Sequence, residues 1–163
     1  MATPQSAPDS ASVWVPCDPD YATGVHASFD RQAAMRLIGA QLCCLRPGYC
    51  RIELPYRSDL TQQHGYIHAG IVSAIVDSAG GFAGLTLFPA DSSVLTAEYK
   101  LNLLAPAAGE RLIATGEVVK PGRTLVVTRG EVHAERHGKR TLCAIMQQTL
   151  VIRAGRRDSL PLA

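Results

Sequence analysis

With 163 residues, 47% of them hydrophobic and 18% charged, the chain is long enough for one domain with a proper core and too short for two ordinary ones. Sixteen Lys and Arg against 14 Asp and Glu leave a formal net charge of +2. The basic residues are scattered among acidic ones, apart from Arg153, Arg156 and Arg157, so the electrostatic footprint of a nucleic-acid binder is missing.

Residues 1–28 read as a flexible leader, because Met1 to Ser12 is rich in Ala, Ser and Pro and has neither the basic start nor the apolar core of a signal peptide. From Phe29 to Leu45, Ala33, Ala34, Leu37, Ile38, Leu42 and Leu45 recur close to the helical period until Pro47-Gly48 stops them, which predicts a first amphipathic helix. Tyr49 to Tyr56 sets Cys50, Ile52, Leu54 and Tyr56 against Arg51 and Glu53, the alternation of a strand. A loop over 57–63 follows.

The segment from Gly70 to Phe88 is apolar or small on every side and carries no Lys, Arg or Glu, so it reads as a helix buried on all faces. Its Gly, Ala and Ser content and the central Asp77 favour packing inside a protein over crossing a membrane, and no membrane partner is expected. Four strands are predicted after it, Val94 to Leu104, Arg111 to Lys120, Thr124 to Arg136 and Arg140 to Ile152. Turn signals at Pro106 to Gly109, Pro121-Gly122 and His137-Gly138 are short enough for antiparallel hairpins. The expected class is α+β: about five or six antiparallel strands wrapped around one long buried helix, the hotdog fold, over residues 29–153, with 154–163 as a tail.

The five cysteines, Cys17, Cys43, Cys44, Cys50 and Cys143, match neither a disulfide framework nor a zinc knuckle, so reduced thiols in a cytoplasmic protein are expected. His64 and His68 stand four apart but flank a loop glycine and lack a third ligand nearby, so no metal is expected.

Asp77 is the residue that calls for an explanation. An ionised carboxylate among apolar neighbours costs several kcal/mol, as an order of magnitude, unless nearby dipoles replace its water. Ser73 or Ser78 would supply such dipoles in a purely structural role. Where the buried helix begins, near His68 to Gly70, the first N–H groups lack intrahelical acceptors and carry partial positive charge, so the amides of Ala69 and Gly70 suit a developing oxyanion. Asp77 lies nine residues beyond His68, roughly 13 Å along a helix, so the two cannot act on one carbonyl within one chain. A two-fold dimer that brings one subunit's helix end to the other's Asp77 resolves the separation.

Gln62, His68-x-Gly70 and Asp77, the strand Thr96 to Asn102 followed by Ala105-Pro106, and the later run Val119 to Leu125 together resemble the phenylacetate-degradation (PaaI-type) branch of hotdog-fold acyl-CoA thioesterases. The resemblance covers about residues 30–153. It implies that Asp77 attacks the thioester or activates water, that Gln62 orients water or substrate, and that the Ala69 amide polarises the thioester carbonyl. It further implies that His68 braces the turn, that Thr96 hydrogen-bonds near the acid, and that Arg123, with Lys120 and Gly122 in the same turn, meets the phosphates of coenzyme A. The implied assembly is a homodimer or homotetramer with sites at the dimer interface, an acyl-CoA substrate, and no cofactor beyond the coenzyme A that the substrate carries.

Ala69 stands where that family usually has Gly, and it supplies its N–H provided that the backbone there has a negative φ. Leu60, Phe82, Leu85 and the partner chain are expected to line the acyl pocket. Two other activities are weighed: a non-catalytic acyl-CoA-binding or sensor protein, against which Asp77 and Gln62 argue, and an acyl-CoA hydratase. The hydratases resemble one another through an Asp followed five residues later by His in a Pro-containing loop; Asp59 and His64 have the spacing but no proline between them, so that pattern is not met.

Overall fold

The computed structural model describes residues 14–155. In chain order they form helices α1 (Tyr21–Arg31) and α2 (Ala33–Ile38), strands β1 (Gln41–Arg46) and β2 (Tyr49–Pro55), helix α3 (Ala69–Leu85), and strands β3 (Ser93–Leu103), β4 (Arg111–Pro121), β5 (Leu125–Arg136) and β6 (Lys139–Arg153).

The single helix expected over 29–45 is replaced by α1, α2 and β1. Two local signals outweigh the apolar period. Gln32 has an extended backbone that parts α1 from α2, and Gly39 takes a left-handed conformation, φ +78°, that ends α2. The N–H groups of Gly39 and Ala40 then close onto the carbonyls of Arg36 and Met35, a cap that only a residue tolerant of positive φ makes cheaply. Beyond it the run from Leu42 to Leu45 is free to pair as a strand. The leader is correspondingly shorter than 1–28, because α1 begins within it at Tyr21 and buries Val25 of the expected leader in the core beside Phe29. Phe29 packs edge-on against Phe82 of α3, with ring centroids 5.7 Å apart. Residues 1–13 and 156–163 lie outside the described residues, so most of the leader and tail expectations do too.

All six strands form one sheet in the order β1-β2-β4-β5-β6-β3, with every neighbour antiparallel. Alternation supplies an inner face of Cys50, Ile52 and Leu54 on β2, Val126, Thr128, Gly130 and Val132 on β5, and Ala144, Met146, Gln148 and Leu150 on β6. Each fully buried Ile or Leu in this face stabilises the fold by about 1.5–3 kcal/mol. Helix α3 lies against that face, and its own Val72, Ile75, Val76, Ala79, Phe82 and Ala83 complete the core.

The helix approaches the sheet very closely at Gly116 of β4. Any Cβ there would overlap the backbone of Ala79 and Gly80, so a larger residue would lift α3 off its bed.

Two features bear on assembly. First, α3 is not buried on all faces as its composition suggested. Gly70 is exposed, and Ser73, Ala74, Asp77 and Gly81 are only partly covered, which traces an incompletely buried stripe along the helix. Second, β3 is an edge strand of 11 residues on which Leu95, Tyr99 and Leu103 are 51%, 46% and 55% exposed. Long apolar edges of this kind seldom stay unpaired.

Candidate active site

Asp77 sits midway along α3 and turns toward β3 and β6. The Thr96 hydroxyl donates to its Oδ1 at 2.8 Å, and the amide Nε2 of Gln148 donates to the same oxygen. Oδ2 has no partner among the described hydrogen bonds. Gln148 Nε2 also lies 3.0 Å from Thr96 Oγ1 and 3.2 Å from the Asp77 carbonyl oxygen. Thr96 reaches the acid because β3 bulges between Thr96 and Glu98, the kind of irregularity that re-aims a side chain at a site. Desolvation by burial pushes the Asp77 carboxyl above the usual range, and the hydrogen bonds from Thr96 and Gln148 oppose that rise without cancelling it.

A cavity of about 320 Å³ opens beside this carboxylate. Ser28, Arg31 and Gln32 of the α1 region form one wall, and Phe82, Leu85 and Val94 form the other. Ser78 has its hydroxyl 3.4 Å from Gln32 Oε1, so it does not satisfy Asp77, and Ser73 bonds the Tyr99 hydroxyl at 2.7 Å instead. Neither serine fills the structural role considered for them.

The beginning of α3 is built differently. His68 is the N-cap: its Nδ1 accepts the Gly70 N–H at 2.9 Å, and its carbonyl accepts from Ile71 and Val72. The His68 N–H itself goes to the Leu60 carbonyl at 3.0 Å. Ala69 is left as the residue of the first turn whose N–H has no acceptor among the described hydrogen bonds. The second free amide expected at Gly70 is therefore already taken. Among the described residues the one non-glycine with positive φ is His137, so Ala69 stands where Gly is usual without backbone strain.

Gln62 shares with Ala69 a second cavity, of about 380 Å³, closed by Tyr66, Val72, Leu103 and Pro106. Its loop is pinned by the Gln62 N–H to the Tyr66 carbonyl at 2.9 Å and by the Gly65 N–H to the Gln62 carbonyl at 3.0 Å. Its side-chain Oε1 accepts from the His64 N–H, so the amide nitrogen remains as the donor it can offer.

The predicted residues thus fall into two clusters on one chain, Asp77 with Thr96, and Gln62 with His68, Ala69 and Gly70. Lys120, Gly122 and Arg123 join neither. They are exposed at the tip of the β4–β5 hairpin and line neither cavity. Phe82 and Leu85 line the Asp77 cavity as expected, and Leu60 does not.

Gln148 and Thr128 escaped the sequence reading, as did the wall provided by Arg31 and Gln32. A signal for Gln148 was present: it shares the inward parity of Ala144, Met146 and Leu150 on β6, a polar residue in an apolar series.

The match to known proteins agrees with this geometry. Residues 64–141 match the model of the Thioesterase superfamily. A protein of Saccharolobus solfataricus that bears an esterase name is 30% identical over 128 residues, covering 78% of this chain and 83% of that protein. Among solved structures, a thioesterase family protein from Silicibacter pomeroyi superposes with a TM-score of 0.81 at 47% identity, covering 83% of this chain and 99% of that one. The PaaI protein from the phenylacetic acid degradation operon of E. coli shares the fold with a TM-score of 0.74 at 17% identity, covering 83% of this chain and 95% of its own. The class defined by fold and site is the hotdog hydrolases of thioester and ester bonds. This chain belongs to the thioesterase superfamily within that class.

Proposed function

We propose that the protein hydrolyses acyl-coenzyme A thioesters to the free acid and coenzyme A, and that each active site is assembled from two copies of the chain. The observation that carries this reading is the separation of two incomplete halves on one helix. Asp77 offers a carboxylate with one oxygen held and the other unbonded, and Ala69, eight residues earlier in α3, offers an amide without an acceptor. Eight residues are roughly 12 Å of helix, too far for one carbonyl group to touch both.

A two-fold partner supplies the missing half. The open edge of β3 is long, extended and apolar enough to continue the sheet antiparallel into a second copy, which would also cover the half-exposed stripe of α3. The free thiols of Cys17, Cys43, Cys44, Cys50 and Cys143 support a reducing compartment such as the cytoplasm. No helix among the described residues is long and apolar enough to cross a membrane.

In the reaction as we write it, the unbonded oxygen of Asp77 takes a proton from a water while that water adds to the thioester carbon. Negative charge collects on the former carbonyl oxygen and is met by the Ala69 N–H and the positive end of α3 from the other copy. Collapse breaks the carbon–sulfur bond, and the departing thiolate of coenzyme A takes up the proton held on Asp77. The Gln62 amide nitrogen directs water or substrate. Direct attack by Asp77 on the acyl carbon, giving an anhydride that water then opens, uses the same groups. Water is the only co-reactant in either route. Arg123 and Lys120, exposed on their hairpin, are suited to the phosphates of coenzyme A, where a guanidinium makes paired contacts.

Release of free thiol from a panel of acyl-CoAs by the parent and by Asp77→Asn tests the reading. We expect loss of nearly all turnover in the variant. Equal rates, or tight acyl-CoA binding by the parent without thiol release, would overturn it, the latter in favour of a binding protein.

A further inference from the structure

Inside the sheet, on the side of Asp77 away from the cavity, stands an arrangement that the proposed reaction does not by itself require. Gln148 is 1% exposed and fully hydrogen-bonded, although its neighbours on the inner face of β6 are Met146 and Leu150. A buried amide must satisfy both its nitrogen and its oxygen, and here they face opposite ways. The Thr128 hydroxyl of β5 donates to Oε1 at 2.8 Å, which leaves Nε2 facing α3 and β3, where it meets Asp77 and Thr96.

The cross-strand register explains the fit, since Thr128 and Gln148 are directly paired and both face inward. Gly80, one turn beyond Asp77 on α3, makes the room. A Cβ at that position would overlap Gln148 Oε1 and come within 2.8 Å of Thr128 Oγ1. Four elements, α3, β3, β5 and β6, therefore converge on one orientation of one amide.

We propose that Gln148 is a positioning residue for the hydrolysis, holding Asp77 by its Oδ1 so that Oδ2 is presented to the substrate, and that Thr128 fixes the Gln148 amide in the donating orientation. This rests on the assignment of Asp77 as the base or nucleophile. Gln148 does not line the cavity, so it acts through the acid and not on the acyl-CoA. The same donor favours the ionised form of a carboxylate that burial disfavours.

Few other charges reach this carboxylate. Arg31, from α1, is the one other ionisable side chain among the described residues that line the cavity. On β3, Tyr99 is bonded to Ser73, one turn earlier on α3, and the buried residues of β4, β5 and β6 are Leu, Ile, Ala, Val, Met, Gly, Thr and Gln together with Cys143, whose thiol is pushed up by burial. Cys50, inward on β2, is kept a neutral thiol by burial.

The test is the pH dependence of thiol release in Gln148→Met, which keeps an unbranched side chain of similar length but donates nothing. We expect kcat to fall about tenfold or more, KM for acyl-CoA to stay within about twofold, and the acidic limb of the profile to move to higher pH. A lower melting temperature with the limb and kcat unmoved would show a purely structural residue and overturn the proposal. Should Gln148→Met fail to fold, Thr128→Val carries the same test. It leaves Gln148 in place but frees its amide, and the limb must move in the same direction by less; an unmoved limb overturns the proposal. Asp77→Asn in the same series separates the two layers of the argument. An inactive Asp77→Asn beside an unaltered Gln148→Met sinks this inference alone, whereas an active Asp77→Asn sinks the reading of the site beneath it.

Discussion

The two ends of α3's working segment are built on opposite plans. At Asp77 the atom that the proposed reaction uses is the side-chain oxygen Oδ2, on a carboxylate whose Oδ1 is clamped by Thr96 and Gln148 from two strands and backed by Thr128 from a third. At Ala69 the proposed functional atom is a backbone N–H, set by the His68 cap and by a loop that hydrogen-bonds mainly to itself. The charged half stands on the sheet because a desolvated carboxylate needs several fixed dipoles from a rigid frame. The amide half needs no side chain of its own, so a loop and a helix end suffice. A substitution should therefore act through chemistry at Asp77 and through geometry at Ala69.

The largest effect expected is at Asp77. Removing a general base costs about 10²–10⁴-fold in rate, so Asp77→Asn should leave only residual thiol release in a coupled assay. The same change should raise stability. The carboxyl titrates above its unfolded value, so the native state binds the proton more tightly than the unfolded chain does. Stability is thus highest below the unfolded value and falls as pH rises through the window up to the folded value. Asn avoids that loss, and a melting temperature about 2 °C or more above the parent at pH 7 is expected. An unchanged or lower melting temperature would mean that burial of the charge is fully compensated.

Splitting the halves between chains comes next. Asp77→Asn and Gln62→Ala homodimers should each be weak, and subunit exchange between them should restore about a quarter of parental activity, because half of the dimers then hold one intact site of two. No recovery after exchange, checked by mass measurement of the heterodimers, would place both halves of a site in one chain. A related break is Tyr99→Glu with Leu103→Glu, which charges the apolar face of β3. Light scattering should then report monomers, with turnover down by about tenfold or more. The smallest effect belongs to the hairpin. Arg123→Ala should raise KM for acyl-CoA about two- to fivefold, with kcat nearly constant and the difference shrinking at high salt.

Much of this contrast was legible before any coordinates. β2, β4, β5 and β6 were readable because each alternates between core and solvent, β3 because breaks at Pro89-Ala90-Asp91 and Pro106 bound it, and α3 because its long apolar run suits a helix packed against a sheet. β1 was not, since a four-residue apolar run such as Leu42 to Leu45 satisfies both periods, and only the left-handed Gly39 ahead of it decides. In the site, Asp77 and Thr96 stand together as the resemblance implied, because a lone acid in an apolar helix advertises itself. Gln148 did not, for its meaning depends on a register that pairs it with Thr128 across two strands. The open amide expected at Gly70 was lost to a local competitor, His68, whose ring nitrogen reaches it first.

Gly80 carries no functional group, yet the orientation of the acid depends on the space it leaves. Alanine substitution ordinarily reads a residue by what is deleted. At Gly80 it would read by insertion: one methyl group would collide with the Gln148 amide and crowd the Thr128 hydroxyl, so that on the proposed reading the rate would fall with every reactive atom still present.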